Sequence, residues 1–414
     1  MRLSETGTPQ DPWLALRFAN YRNLAIARLI LLTVFQMQTV TVGWELYERT
    51  RDPLALGGVG LVQILPIMGV TFLAGHLADQ SHRKRIILLC GGLMTLGALG
   101  LTLISLKQAD IWLVYGCLFL IGLARGFHKP ATDALLWQYI PASAYTNAAT
   151  WNSAVFQFAS VAGPALGGLL IVLLHGAPYV YATVTAATVG YLMLVWQLPD
   201  NQVRVHREPL SLRSLAAGFQ FLRQHPAILA AMTLDLFAVL LGGAVTLLPV
   251  YAKDILQVGA AELGWMRAAP SIGALLMGAM LIHQPPIRPA GKVLLWSVVG
   301  FGAATIVFGW SRSLWLSLLM LVLMGALDNI SVVIRQTLAQ LWTPDHLRGR
   351  VSAINSVFIS MSNELGGFES GLTAAWFGAI ASTVGGGIGT ILVVAIVAIV
   401  CPEIRNLREL NRSA

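Results

Sequence analysis

Arg125, Asp235, Asp328, Glu364 and Glu369 each interrupt a long apolar run. A charge in hydrocarbon is expensive, so it normally faces a cavity, a relay or a partner. An arginine there can clamp an anion or hold a neighbouring acid in its charged form. A carboxylate there can take up and release a proton. Arg125 and Asp328 are therefore read as lining a substrate cavity, and Asp235, Glu364 and Glu369 as candidates for proton coupling. Glu364 and Glu369 lie five residues apart, about 140° around a helix, so they are not expected to face one point. The competing reading for each group is a structural ion pair or a hydrogen-bonded acid. Gln36, Gln38, Trp44, Glu45 and Tyr47 form a polar and aromatic patch. It suits an amphiphilic aromatic substrate, or else an interfacial belt; Gln38 and Trp44 are its candidate cavity residues. Arg28, Arg267 and Arg335 lie nearer run ends and are expected to snorkel to the interface.

No catalytic constellation accompanies these charges. The eight histidines are scattered. There is no phosphate-binding Gly-Lys-Ser/Thr loop and no Cys/His metal spacing. No nucleophile and base are placed together, so the chain is not read as an enzyme, and no cofactor or metal is expected. Cys90, Cys117 and Cys401 sit in or beside apolar runs and suggest no disulfide framework.

The elements that must position these charges are membrane helices. The chain is 56% hydrophobic and 11% charged, against about 25% charged in a soluble domain. About twelve runs are long enough to span, by a rule of about 20 apolar residues. They lie near 24–44, 55–78, 86–106, 112–133, 150–173, 179–198, 227–250, 260–282, 291–310, 314–336, 353–374 and 378–400. The fold class is thus an all-α membrane protein of twelve transmembrane helices. The net charge of +8 does not indicate nucleic acid, because the basic residues lie in short loops between spans. Lys and Arg favour the side that carries both termini by about three to one, which makes that side cytoplasmic. No cleavable signal peptide is expected. Trp13, Phe18, Tyr21 and Arg22 are read as an interfacial piece before the first span.

A polar stretch at 199–226 separates six spans from six, giving 1–198, a cytoplasmic linker with a short helix near 211–223, and 227–414. A shift of about 203 residues aligns the halves. Gly75 meets Gly278, Gly122 meets Gly325, Pro141 meets Pro344, Asn152-Ser153 meets Asn355-Ser356, and Gly168 meets Gly371. Arg125 and Asp328 fall on equivalent positions. An offset of six helices is a parallel repeat about an axis along the membrane normal.

Two motifs remain. Gly75-His76-Leu77-Ala78-Asp79-Gln80-Ser81-His82-Arg83-Lys84-Arg85 joins the second and third spans. Small residues permit close helix approach, Asp79 can accept from N–H groups at another helix start, and the basic residues hold the loop in the cytoplasm. Gly75, Asp79, Arg83 and Lys84 are read as a conformational latch. The second motif, Gly163-Pro164-Ala165-Leu166-Gly167-Gly168, combines a lost backbone donor with glycines for close contact or hinging. Gly163, Pro164, Gly167 and Gly168 are its hinge candidates.

The Asp79 loop resembles the signature loop of the major facilitator superfamily, with Gln80 and His82 departing from the usual Arg and Gly. The Gly163 stretch resembles the motif of its exporting branches, with Ala159 at a usual Gly. Asn20-Tyr21-Arg22-Asn23, Val42-Gly43-Trp44-Glu45-Leu46-Tyr47 and Glu364-Leu365-Gly366-Gly367-Phe368-Glu369-Ser370-Gly371 resemble the siderophore-exporter and macrolide-efflux subfamily, over about 18–400. The resemblance implies two pseudo-symmetric six-helix bundles and alternating access. It further implies export of a small siderophore-like or drug-like molecule with proton antiport, from a bacterial inner membrane. The partners would be substrate, protons and lipid, with the chain working as a monomer and no nucleic acid involved. An importer of a small polar metabolite and a non-transporting receptor or scaffold are the alternatives.

Overall fold

The computed structural model describes the backbone of residues 11–80, 82–200, 212–285 and 287–407, without the side chains of 71–80, 212–217 and 346. Gly75 and Asp79 of the latch therefore lie outside the described side chains. The chain forms α1 (Ala19–Thr50), α2 (Pro53–Gln80), α3 (Arg83–Lys107), α4 (Ile111–Leu136), α5 (Tyr145–Leu173) and α6 (Ala177–Trp196). Then come α7 (Leu212–Gln224), α8 (Pro226–Leu241), α9 (Leu248–Val250), α10 (Ala260–Ile282) and α11 (Ala290–Trp310). The last are α12 (Leu314–Trp342), α13 (Asp345–Phe377), α14 (Ala379–Val400) and α15 (Pro402–Arg405). Most long helices outrun the apolar runs that announce them, because polar flanks continue the hydrogen-bond ladder beyond the hydrocarbon.

Among the described residues, eleven segments are long and apolar enough to span a membrane. The one expected span outside these eleven, near 353–374, is α13, which carries Arg348, Arg350, Glu364 and Glu369 and falls short on composition. Its polar groups are tolerated because it packs between α2 and α8. The seventh span also differs from expectation. The run near 227–250 is broken: α8 stops at Leu241, Gly242 and Gly243 leave the helix, and a 3-10 turn, the short α9 and a π-helical turn at Tyr251–Ile255 complete the crossing. The break fits against α13 and α11. A Cβ on Gly243 would meet Ser370 Oγ at 2.5 Å and Gly366 O at 2.8 Å, and one on Gly242 would meet Phe301 Cε1 at 2.7 Å. Broken backbone at membrane depth survives where protein covers it.

One apolar core draws on residues 15–198 and another on 221–407. A third mixes Val40, Leu46, Tyr47 and Leu56 with Leu247, Tyr251, Leu263 and Ala374. The close approaches between the two sets of six also cluster at this end, opposite the termini. A Cβ on Gly57 would meet Gly371 Cα at 3.2 Å, one on Gly168 would meet Gly264 Cα at 2.8 Å, and one on Gly43 would meet Pro249 Cγ at 3.2 Å. Small residues at these crossings let backbones touch.

Three expectations about residue placement are corrected. Tyr21 is not interfacial: it is fully buried and its hydroxyl donates to Ala148 O of α5 at 3.0 Å. The short turn before α1 docks on the same helix, with Trp13 beside Trp151 and Ala15 N–H donating to Asn147 Oδ1. Arg335 does not snorkel either. It is 8% exposed and pairs with Asp235 Oδ2 at 2.5 Å, because α8 supplies an acid at its depth. Arg267 does not snorkel: it sits inside α10 and donates to Val245 O at 3.3 Å, whereas Arg28 pairs with Asp133 at 3.2 Å.

Candidate functional site

The charges predicted within the membrane gather into two clusters. The first lies between the two sets of six. Arg125 on α4 donates through Nη1 to Gln63 Oε1 of α2 at 3.1 Å, and its guanidinium sits 5.2 Å over the Phe35 ring of α1. Across the divide, Glu364 of α13 interacts electrostatically with both Arg125 and Arg267 of α10. The glutamate reaches the divide because α2 presents Gly60. A Cβ there would stand 2.7 Å from Glu364 O and 3.3 Å from its Oε2. Two guanidiniums thus act on one carboxylate through space, without a direct ion pair among the described residues, and the group carries one net positive charge beside an aromatic face and an amide.

The second cluster lies wholly within the second set. Asp235 of α8 and Arg335 of α12 form the buried 2.5 Å pair, and Asp328 interacts electrostatically with both. Asp235 and Asp328 line a small cavity with Ser297, Phe301 and Ser331. Arg125 and Asp328, equivalent under the repeat, therefore belong to different clusters, and Arg125 faces Glu364 instead. Equivalence in a parallel repeat places two residues symmetrically about the axis; it does not bring them into contact. Glu369 turns away from Glu364 and accepts from Ser370 Oγ at 3.5 Å.

The remaining candidates make packing and helix-end contacts. Gly163 and Gly167 pack α5 on α1: added Cβ atoms would meet Gln36 Cβ at 2.5 Å and Met37 Cα at 2.9 Å. Gly168 and Pro164 meet α10 of the other set, with Pro164 O at 2.6 Å from a Cβ on Gly264. Helix α5 runs unbroken through Pro164. Of the latch, Arg83 Nη1 donates to Ala134 O at 3.5 Å, and Lys84 Nζ donates to Trp196 O at 2.8 Å and to Leu198 O. Both cations meet carbonyls at the ends of α4 and α6, where a positive charge complements the helix dipole. Gln38 is buried on α1.

Trp44 belongs to a clasp that sequence reading did not assemble. Lys253 Nζ sits 4.4 Å over its ring and donates to Glu48 Oε1 at 2.7 Å. Arg51 bonds Asp254 Oδ1 at 2.6 Å, and the Tyr47 hydroxyl bonds Asp254 Oδ2. Glu45 is held by Ser105 Oγ at 2.6 Å. The patch around Trp44 and Tyr47 thus closes the end opposite the termini. Phe35 and the clasp residues Lys253 and Asp254 were missed as functional positions, and Arg267 was read only as a residue that snorkels. The signal available was Gly57-x-x-Gly60, a small-residue spacing that marks close helix approach.

The paired sets of six, the glycine-lined contacts between them and the charges at their divide are the anatomy of a rocking transporter. The sequence profile of the transmembrane secretion effectors matches residues 10–413. The chain belongs to this family. It is accordingly a multi-pass membrane transporter of the major facilitator type and not an enzyme. It is 27% identical over 397 residues to "Enterobactin exporter EntS" of Escherichia coli O1:K1 / APEC, covering 94% of this chain and 93% of that protein. Among solved structures, a bacterial homologue of the human lysosomal transporter Spinster, inward-facing and occupied, superposes with a TM-score of 0.74 at 14% identity. That match covers 97% of this chain and 99% of the other. The nucleoside transporter NupG superposes with a TM-score of 0.67 at 14% identity, over 94% of this chain and 99% of the other. At such identities these two show the fold alone.

Proposed function

We propose that this transporter exports a small, aromatic, anionic molecule of siderophore-like chemistry from the cytoplasm across a bacterial inner membrane, by alternating access and in exchange for protons. The observation that carries the reading is the Arg125–Glu364–Arg267 cluster at the divide. Its spare positive charge suits an anion, and the Phe35 face and Gln63 amide suit an aromatic ring with polar substituents. The 27% identity to proteins named as enterobactin exporters supports both the direction and the class.

In this mechanism residues 1–198 and 227–414 are the rocking bundles and 199–226 is the cytoplasmic linker. Both termini are cytoplasmic, so the clasp at the opposite end holds the outer side shut. Substrate enters from the cytoplasm and competes with Glu364 for the two arginines. At the outer side the Glu364 carboxylate returns to the arginines and displaces substrate, and protonation of another membrane acid such as Asp235 from outside changes the relative stability of the two states and resets the cycle. Gly75, Asp79, Arg83 and Lys84 tune the opening of the cytoplasmic side, and Gly163, Pro164, Gly167 and Gly168 form the surface on which α5 moves.

The test compares culture medium and cell extract by mass spectrometry for a deletion strain and for strains carrying wild type or Arg125→Gln, with and without iron. The expected result is an anionic aromatic compound that accumulates inside the deletion strain and returns to the medium with wild type. Arg125→Gln should return it at least about tenfold less, for loss of one charge-assisted contact. A nutrient that fails to enter the deletion strain, with no compound retained, would overturn export in favour of import.

A further inference from the structure

The second cluster has no part in holding substrate at the divide, and its charges do not balance. Two carboxylates, Asp235 and Asp328, face one guanidinium, Arg335. Arg335 is committed to Asp235 Oδ2 at 2.5 Å. Asp328 makes no hydrogen bond or ion pair with any described residue, and the charged groups that act on it are Asp235 and Arg335. The α11 helix packed beside it contributes Ser297 and Phe301 to the lining, neither of them charged.

Ser331 supplies an independent observation. It lies one turn beyond Asp328 on α12, is 3% exposed, lines the same cavity, and its hydroxyl has no hydrogen-bond partner among the described residues. A buried hydroxyl left without a partner is costly. Here it points into a space with room for about one water-sized body. Ser297, 4% exposed, adds a second hydroxyl oxygen, already donating its proton to Val293 O at 2.7 Å and so free to accept.

From this geometry we infer that the cavity between α8, α11 and α12 is a binding site for one monovalent cation, held by Asp328, Asp235, Ser331 and Ser297. One positive charge makes the cluster neutral, and a divalent ion would overshoot it. The pseudo-equivalent position in the first set carries Arg125, so the symmetry-related place repels cations and the site occurs once per chain. The shared chemistry admits two occupants, a proton on the carboxylate pair or a sodium ion among the four oxygens. Use of this ion to drive transport rests on the export reading above; its binding does not.

The experiment uses purified full-length protein in nanodiscs, without substrate. Thermal unfolding is followed in sodium chloride against choline chloride at equal ionic strength. Carboxyl infrared bands are recorded on acidification in choline. Stabilisation specific to sodium, with affinity reduced about tenfold or more in Asp328→Asn and in Ser331→Ala, would identify sodium. No sodium response, but a protonated-carboxyl band that is lost in Asp328→Asn and shifted in frequency in Ser331→Ala, would identify a proton. Absence of both responses in wild type would overturn the site and leave the cavity to water. Asp328→Glu keeps the charge and serves as the folding control. Because no flux is measured, a failed export assay would leave this outcome unaffected.

Discussion

At the scale of residues, the decisive contrast is between Arg125 and Arg335. Both are guanidiniums inside apolar helices, yet one is spent on structure and the other is available. Arg335 is 8% exposed and locked to Asp235, within one set of six. Among the described residues, Arg125 is held on its own side by a glutamine amide and an aromatic face, and the acid that acts on it lies across the divide. A buried pair broken on one side leaves an uncompensated charge. Arg335→Leu should therefore destabilise the protein by about 3–5 kcal/mol, and Arg335→Leu combined with Asp235→Leu should recover most of that loss. Thermal unfolding of the detergent-solubilised variants measures both. Recovery would be absent if the two side chains did not act as a pair. Both types of arginine read alike in the sequence, because burial and partner are properties of helix rotation.

At the scale of elements, glycine placement governs how the helices meet. Gly57 and Gly60 let α2 lie against α13, and Gly168 and Gly264 let α5 lie against α10. These two crossings join the sets of six and lie towards the same end. A Cβ on Gly168 would stand 2.3 Å from Ala260 O and 2.8 Å from Gly264 Cα, which are backbone atoms that a rotamer change does not clear. Gly168→Val should therefore shift the population away from the state with this end closed. Spin labels at Thr50 and Gln257 should then show a longer distance than in wild type; an unchanged distance would mean that α5 and α10 separate without opening the end. The Gly163–Gly168 stretch was legible as a place of close contact, and the structure divides it between two neighbours. Gly163 and Gly167 serve α1, whereas Gly168 serves α10. The break at Gly242-Gly243 was not legible, since the 227–250 run is apolar throughout and apolarity says nothing about backbone continuity.

At the scale of the whole molecule, the end opposite the termini is held by polar contacts as well as by packing. Lys253 and Asp254 reach Glu48, Trp44, Arg51 and Tyr47 across the divide. Several of these groups are exposed, and exposed ion pairs contribute about 0–1 kcal/mol each. Such a clasp biases a conformational equilibrium without locking it. Lys253→Gln combined with Asp254→Asn should raise the open fraction at this end by up to about tenfold while leaving unfolding temperature nearly unchanged. Labelling of a cysteine placed at Trp44, in a background without Cys90, Cys117 and Cys401, reports the opening. An unchanged labelling rate would assign closure to the apolar contacts alone.

The repeat shows most plainly where legibility ends. The sequence by itself determined the membrane class, the family, the spans apart from the break, and the parallel repeat. These follow from composition and period, which are set along the chain by the cost of exposing backbone and charge to hydrocarbon. The repeat even carries the intra-set ion pairs. Shifted by its offset, Arg28 and Asp133 fall within about a turn of Asp235 and beside Arg335, with the signs exchanged. Only the tertiary structure decided which charges meet. It set Arg125 within electrostatic reach of Glu364 and apart from Asp328, placed Asp328 on an internal cavity, and turned the Trp44 patch into a clasp. The reason is that an electrostatic partnership depends on distances of a few ångströms between helices, set by how each helix is rotated and how closely glycines let it approach. Those quantities are fixed by packing against several neighbours at once, and no single run of sequence contains them.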